Sequence, residues 1–125
     1  MKLLVRSSSE SRKDWVCSAT ESVFLLAGAK VAFDDDYSGW QPDADSELLN
    51  IMERVYLEKF GERPKVIVIH AGLECGIIQS KVDQKLDIVS FGPTIIGAHS
   101  PQETVNIASV QKNYDYLIAI LEQLK

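Results

Sequence analysis

The sequence predicts an α/β fold, and three observations carry this prediction. Short apolar runs typical of strands occur at residues 2–8, 30–33, 65–69 and 86–91. Segments with apolar residues at helical spacing lie between these runs and after the last of them. The run at 65–69 is apolar after its first residue, which is typical of a strand buried on both faces of a parallel-type sheet with flanking helices.

Residues 1–40 are predicted to form a first lobe with a β-α-β arrangement. Ser7, Ser8 and Ser9 offer N-caps for a helix to about Leu26, and Gly28 is expected to be its left-handed cap. The apolar face of this helix consists of Trp15, Val16, Ala19, Val23 and Leu26. The flanking strands should be parallel, with a right-handed crossover. Because two strands make too small a sheet, we expect this lobe to pair with a second copy or another chain segment.

Residues 41–125 are predicted to form a second lobe, which follows a turn and linker at 37–42. A helix at 43–60 is expected, with Asp45 or Ser46 as its N-cap and Gly61 closing it. Its buried stripe consists of Leu48, Leu49, Met52, Val55, Tyr56 and Phe60. The strand at 65–69 follows, then a short helix at about 73–81 and the strand at 86–91.

The stretch at 90–103 leads from the last strand through a loop with two glycines and a proline to His99. Ser100 is a good N-cap, Pro101 suits a first helical position, and Glu103 completes an S-x-x-E capping box. We therefore expect the last helix, at 101–124, to begin directly after His99. Its helically spaced apolar residues are Val105, Ile107, Val110, Tyr114, Leu117, Ile118, Leu121 and Leu124.

Composition argues against two classes of partner. The formal net charge is −5 and the charges are mixed along the chain, whereas nucleic-acid-binding surfaces are usually basic. No apolar run is long enough to span a bilayer, and no signal-peptide core follows Met1.

Cys17 and Cys75 belong to no C-x-x-C motif, so two reduced thiols in a cytoplasmic protein are expected. Cys17 is predicted to be a core residue, and Cys75 to be either inert or reactive.

The two histidines of the chain each follow a predicted strand, where α/β proteins bind ligands. His99 is interpreted as a metal ligand or an acid or base, and the alternative is a structural or merely exposed residue. His70 is expected to orient its loop. Glu74 either faces a substrate or favours the dipole of the short helix it begins. The aspartates at 34–36 are interpreted as a solvated strand end rather than a cation site.

Several motifs resemble the C-terminal end of bacterial aminoacyl-histidine dipeptidases, members of a dinuclear-zinc peptidase superfamily. They are H-A-G-L-E-C-G at 70–76, D-I-V-S-F-G-P at 87–93, G-A-H-S-P at 97–101 and V-N-I at 105–107, with V-R-S-S at 5–8 and Y-S-G-W-Q-P at 37–42. The resemblance implies a β-α-β piece of a ferredoxin-like lid domain at 1–40. It implies the C-terminal α/β part of a zinc-peptidase catalytic domain at 41–125.

The resemblance also implies roles for individual residues. His99 matches the terminal ligand of one of two zinc ions, which polarise the scissile carbonyl and the attacking water. Arg6 matches an arginine that contacts the substrate carboxylate, for which a guanidinium fork is well suited. Gly72 and Glu74 would line the substrate pocket. No residue of this chain matches the general base, so no catalytic residue is assigned.

The departures from the family pattern concern the metal. The chain has neither the H-x-D motif nor the Glu-Glu pair of the family's N-terminal half, and zinc needs three or four protein ligands. We therefore expect a C-terminal piece of a cytoplasmic zinc dipeptidase for Xaa-His substrates, inactive without the missing N-terminal part. The open edge of its lid lobe favours a homodimer. The alternatives are a stand-alone binding or oligomerisation module, and a hydrolase assembled with a separate N-terminal chain.

Overall fold

The computed structural model describes residues 1–34, 38–69 and 74–124. In chain order its elements are α1 (Glu10–Leu26), α2 (Glu47–Phe60), α3 (Glu74–Ser80), β1 (Ile95–Ile96), β2 (Thr104–Val105) and α4 (Ile107–Gln123). The chain forms two compact units, and both are discontinuous in sequence. Unit 1 contains residues 1–44 and 67–86, and unit 2 contains residues 45–66 and 87–125. The predicted division at residue 40 into parts of a lid and a catalytic domain stays a prediction.

The sheet is much smaller than predicted. Within the described ranges it consists of β1 and β2, paired antiparallel with Ile95 opposite Val105 and Ile96 opposite Thr104. The predicted strands at 2–8, 30–33, 65–69 and 86–91 are wrong, because the described residues at these positions have no paired neighbouring strand. Ile67, expected to be buried on a sheet, is 62% exposed. A parallel sheet and a β-α-β unit are thus not formed by the part of the chain described.

Helix α1 has the predicted position but not the predicted packing. It begins after Ser9, whose side chain makes no capping hydrogen bond, and Gly28 follows its end in the left-handed conformation (φ 75°). Trp15 is 72% exposed and Leu26 is 89% exposed, so the apolar face predicted to be buried is open. The buried residue of this helix is Lys13.

Helix α2 confirms the sequence prediction closely. The Ser46 hydroxyl accepts a hydrogen bond from the Leu49 N–H at 2.9 Å, and Gly61 ends the helix in the left-handed conformation (φ 74°). The helix packs on α4, and the core of unit 2 lies between them. The buried members of this core are Met52, Val55, Tyr116 and Ile120, with Leu48, Ile51, Tyr56, Phe60, Val89 and Ala119 packed around them.

Helix α4 differs from its prediction in start and in buried face. It begins at Ile107 with Asn106 as N-cap, because the Asn106 side chain accepts from the Ser109 N–H at 3.0 Å. The S-x-x-E motif at 100–103 therefore does not cap this helix. Tyr116 and Ile120, one turn apart, are its buried residues, whereas the predicted stripe is largely exposed.

No helix in the described ranges is long and apolar enough to cross a membrane.

Candidate functional site

His99 lies in a hairpin loop rather than at a helix start. The loop occupies residues 97–103 and connects β1 to β2. Its backbone turns through two residues in the left-handed region, Gly97 at φ 66° and His99 at φ 63°. Glycine adopts this region freely, but a residue with a Cβ does so only at a cost, so the conformation of His99 must be supported by its surroundings.

Hydrogen bonds within the loop provide this support. The carboxylate oxygen Oε2 of Glu103 accepts from the His99 backbone N–H at 2.6 Å. The Ser100 hydroxyl donates to the Gly97 carbonyl at 2.6 Å, and the Glu103 N–H donates to the Ser100 carbonyl at 3.1 Å. The two polar residues that predicted a helix cap thus close a turn. The exposed His99 side chain is carried on this turn.

The base of the hairpin is joined to α4. The Asn106 N–H donates to the Thr94 carbonyl at 2.9 Å, and the Thr94 N–H donates to the Ser109 hydroxyl at 2.9 Å. Ser109 lies in the first turn of α4, so the hairpin ends are fixed to the helix that forms the core of unit 2. The last helix therefore does not begin directly after His99, and it is connected to the hairpin that carries His99 through a short sheet.

Another family-like motif of unit 2 has a structural role. Asp87, the first residue of D-I-V-S-F-G-P, accepts from the Ser46 hydroxyl at 2.6 Å and from the Leu48 N–H at 2.8 Å. Its carboxylate therefore caps α2, where negative charge is favourable. The buried hydroxyl of Ser46 gains an acceptor in the same way.

An aromatic and cationic cluster lies where α2 and α4 meet. The Lys112 ammonium donates to the Tyr56 hydroxyl at 2.7 Å and pairs with Glu62 at 3.2 Å. It also lies 4.4 Å from the centroid of the Phe60 ring. The hydrogen bond to Tyr56 raises the pKa of Lys112, desolvation opposes this, and Glu62 adds to it. Each aromatic partner belongs to the α2 stripe, so we interpret the cluster as packing support.

Burial has a larger effect on Tyr116. Loss of water around its hydroxyl raises the pKa of Tyr116 to about 12, and the charges of Tyr56 and Glu53 act in the same direction. The hydroxyl donates to the Met52 carbonyl at 2.8 Å, which only the protonated form can do. This tyrosine is therefore a neutral structural donor and not an acid or base for catalysis.

In unit 1, parts of the motifs at 5–8, 37–42 and 70–76 contact one another at Gly39 and Gly76. A Cβ on Gly39 would collide with the Ser7 carbonyl oxygen. A Cβ on Gly76 would lie 2.6 Å from the Ser38 carbonyl oxygen, closer than any side chain tolerates. The backbones at Ser7, at Ser38 and Gly39, and at Gly76 thus pack in succession, and glycine is required at both contacts.

The first turn of α1 reinforces this junction. The Glu10 carboxylate accepts from the Gly39 N–H and forms an ion pair with the buried Lys13 at 2.7 Å. Cys75, in α3, is buried as well. Burial makes a small apolar role the better interpretation of this thiol. Cys17, predicted to be a core residue, is only half-buried.

The predicted substrate residues fall in unit 1. Arg6 precedes the segment that packs on Gly39, and its side chain is exposed. Glu74 is the first residue of α3 and is also exposed. Gly72 and His70 lie outside the described residues, as do Asp35 and Asp36. The structure thus brings together the segments that carry Arg6 and Glu74, while His99 belongs to unit 2.

The described residues do not form a complete metal centre. Across 1–34, 38–69 and 74–124, no group of three His, Cys, Asp or Glu side chains could hold a metal ion. The exposed imidazole of His99 fits one donor position, whereas zinc takes three or four protein ligands. No catalytic step through a metal is therefore derived from these residues.

Two structural features near His99 differ from what the sequence predicts. Glu103 was interpreted as a helix cap, although its carboxylate binds the backbone of His99. The hairpin at 95–105 was missed because β1 and β2 have two residues each. One signal in the sequence does indicate a hairpin here. Two glycines and a proline in one loop predict a tight turn, and Gly97 supplies its left-handed residue.

Comparison with known proteins identifies similar proteins over most of the length of this chain. No model of a protein family matches the chain. The chain is 43% identical over 121 residues to the cytosol non-specific dipeptidase of Escherichia coli strain K12, covering 97% of this chain and 25% of that protein. It matches the crystal structure of aminoacylhistidine dipeptidase from Vibrio alginolyticus with a TM-score of 0.78 and 44% identity. That match covers 94% of this chain and 24% of the other.

The chain is thus similar to a part of each of these two dipeptidases. The resemblance to the C-terminal part of aminoacyl-histidine dipeptidases is confirmed by both matches. The chain spans about a quarter of the length of each relative.

Proposed function

We propose that this chain is a C-terminal segment of a cytoplasmic zinc dipeptidase that hydrolyses Xaa-His dipeptides such as β-alanyl-histidine. The observation that carries the proposal is the 43% identity over 121 residues to a dipeptidase, which includes the segments around Arg6, Glu74 and His99. The aminoacylhistidine dipeptidase of the structural match supports the preference for a C-terminal histidine.

His99 is proposed as a terminal ligand of one of two zinc ions. A neutral imidazole is a common zinc ligand, and the hairpin holds this one exposed on a fixed turn. The zinc ions would polarise the scissile carbonyl and activate water. The other donors and the general base are proposed to come from the N-terminal part of the enzyme. The chain by itself is therefore expected to be inactive.

Arg6 is proposed to bind the substrate carboxylate, with Glu74 and Gly72 in the pocket wall. A guanidinium makes two parallel, charge-assisted hydrogen bonds to a carboxylate, which suits the C-terminus of a dipeptide. Residues 1–40 would be part of a ferredoxin-like lid and dimerisation domain, and residues 41–125 part of the catalytic domain. A homodimer through the lid is proposed, because α1 leaves Trp15 and Leu26 exposed.

The first experiment measures zinc-dependent hydrolysis of β-alanyl-histidine. The 125-residue chain should show no turnover, and the same chain joined to the N-terminal part of the enzyme should be active. Turnover by the chain alone would contradict the proposed division of the active site. If activity appears only on mixing with a separate N-terminal polypeptide, the enzyme is a two-chain assembly. If the full-length protein never hydrolyses dipeptides, a binding or oligomerisation module replaces this proposal.

A second experiment separates the role of Arg6 from general packing. In the active full-length protein, Arg6→Ala should raise the KM for β-alanyl-histidine about tenfold or more, as expected for loss of a charged hydrogen bond. The KM for the C-terminal amide of the same dipeptide should not change. Arg12→Ala, which removes another exposed arginine of unit 1, is the matched control. An equal effect of Arg6→Ala on acid and amide substrates would refute the assignment.

A further inference from the structure

The conformation of His99 requires a constraint. Its φ of 63° lies in a region that residues with a Cβ rarely adopt, and its side chain is exposed, so packing around the imidazole does not supply the constraint. The direction of the His99 imidazole therefore depends on the interactions that fix the His99 backbone.

Glu103 binds this backbone directly. Its Oε2 accepts a hydrogen bond from the His99 N–H at 2.6 Å, and hydrogen bonds to a charged acceptor are stronger than neutral ones. The other loop bonds join Ser100 to Gly97, and Gln102 and Glu103 to Ser100, and they shape the turn without reaching the His99 N–H. The carboxylate is thus placed to select the left-handed conformation at His99.

The backbone at Glu103 is anchored within unit 2. Glu103 directly precedes β2, whose Thr104 pairs with Ile96 of β1. Beyond this pair, the Asn106 N–H donates to the Thr94 carbonyl, and the Thr94 N–H donates to the hydroxyl of Ser109 in the first turn of α4. Hydrogen bonds within unit 2 therefore connect the first turn of α4 to the backbone beside Glu103, whose side chain binds the His99 amide.

We propose that Glu103 is a positioning residue for His99. Its carboxylate fixes the His99 backbone amide, and so the direction of the imidazole, instead of acting as a metal ligand or a helix cap. The effect of Glu103 on zinc binding rests on the proposed function of His99. Its hydrogen bond to the His99 backbone does not depend on that function. Groups that orient a metal ligand typically change metal affinity by about 10- to 100-fold when removed.

The test uses Glu103→Ala and Glu103→Gln in the full-length protein, with Glu122→Ala as the control. Glu122 is an exposed glutamate of α4, so its replacement removes the same charge from the same unit. The first readout is hydrogen exchange of the His99 amide without zinc. It should become on the order of tenfold faster in Glu103→Ala, less so in Glu103→Gln, which keeps an acceptor, and not in the control.

The second readout is the affinity for zinc alone, measured by competition with a chelator. Glu103→Ala should weaken it about 10- to 100-fold, with partial rescue in Glu103→Gln. Unchanged His99 exchange in Glu103→Ala overturns the proposal, and so does unchanged zinc affinity where His99→Ala weakens it. If His99→Ala leaves zinc affinity unchanged, the ligand role fails, and the exchange measurement alone then decides whether Glu103 holds the loop.

Discussion

Replacing Gly97 by alanine tests whether the His99 loop needs its observed backbone. Gly97 has φ 66°, and a Cβ there costs about 1–2 kcal/mol in the left-handed region. The added Cβ would lie 3.1 Å from the Ser100 hydroxyl oxygen and 3.3 Å from the Gln102 carbonyl oxygen. The Ser100 hydroxyl can move only by weakening its 2.6 Å bond to the Gly97 carbonyl, which adds about 0.5–1.5 kcal/mol. The expected total is about 1.5–3.5 kcal/mol.

The assay combines urea unfolding, followed by circular dichroism, with hydrogen exchange of the loop amides. The cost should appear either as a lower free energy of unfolding or as local opening of residues 97–103, seen as faster exchange. Gly92→Ala is the matched control in the same connection, because a Cβ there meets nothing within 4 Å and its φ is not left-handed. It should be neutral or slightly stabilising, by up to about 1 kcal/mol.

Gly61→Ala measures the cost of backbone strain alone, without the steric contacts that a Cβ would make at Gly97. Gly61 is left-handed at φ 74°, but a Cβ there meets nothing within 4 Å, so only the strain of about 1–2 kcal/mol applies. Gly97→Ala should therefore cost more than Gly61→Ala. If Gly97→Ala costs no more than Gly92→Ala in both measurements, the reasoning about the loop is refuted.

Two further predictions concern unit 2. Asp87→Ala and Ser46→Ala should each lower the free energy of unfolding by about 1–2 kcal/mol, because each removes a cap of α2. The double-mutant cycle should show coupling above about 0.5 kcal/mol, and additive effects would exclude the Asp87–Ser46 bond. Between pH 10 and about 12 the unfolded chain loses the Tyr116 proton while the folded protein keeps it. The free energy of unfolding should therefore fall with rising pH, by at most about 1.4 kcal/mol per pH unit. This slope should become shallower in Tyr116→Phe and stay unchanged in Tyr114→Phe, because Lys112, whose pKa is also raised, contributes with the same sign in every variant. An unchanged slope in Tyr116→Phe would contradict the assignment.

Local signals in the sequence predicted α2 well. A serine at the N-cap, an apolar stripe and a closing glycine all act within the helix itself, so no distant contact is needed to recognise them. The partner of the Ser46 cap, Asp87, lies in another segment and could not be found in this way.

The strands were mispredicted because strand formation depends on neighbours. The apolar run at 65–69 has the composition of a buried strand, but within the described chain no second backbone pairs with it. Ile67 is exposed for the same reason. A pattern of side chains indicates what a segment can bury, and only tertiary pairing decides whether it becomes a strand.

The loop of His99 shows a limit of motif reading. The S-x-x-E pattern at Ser100 and Glu103 has the polar groups of a helix cap, and the same groups equally satisfy a turn between two strands. The family resemblance singled out His99 as the residue of interest. The left-handed backbone of His99 and the carboxylate that supports it became visible only in three dimensions.

His99 is proposed to donate its imidazole to zinc from a fixed turn. The most direct measurement is the zinc affinity of the full-length protein with His99→Asn, because asparagine tolerates the left-handed conformation and so keeps the turn while removing the imidazole. Loss of a direct ligand should exceed the effect of an orienting group, so we expect affinity to fall by more than about 100-fold. Unchanged zinc affinity, with the loop amides exchanging as in the wild type, would contradict the claim.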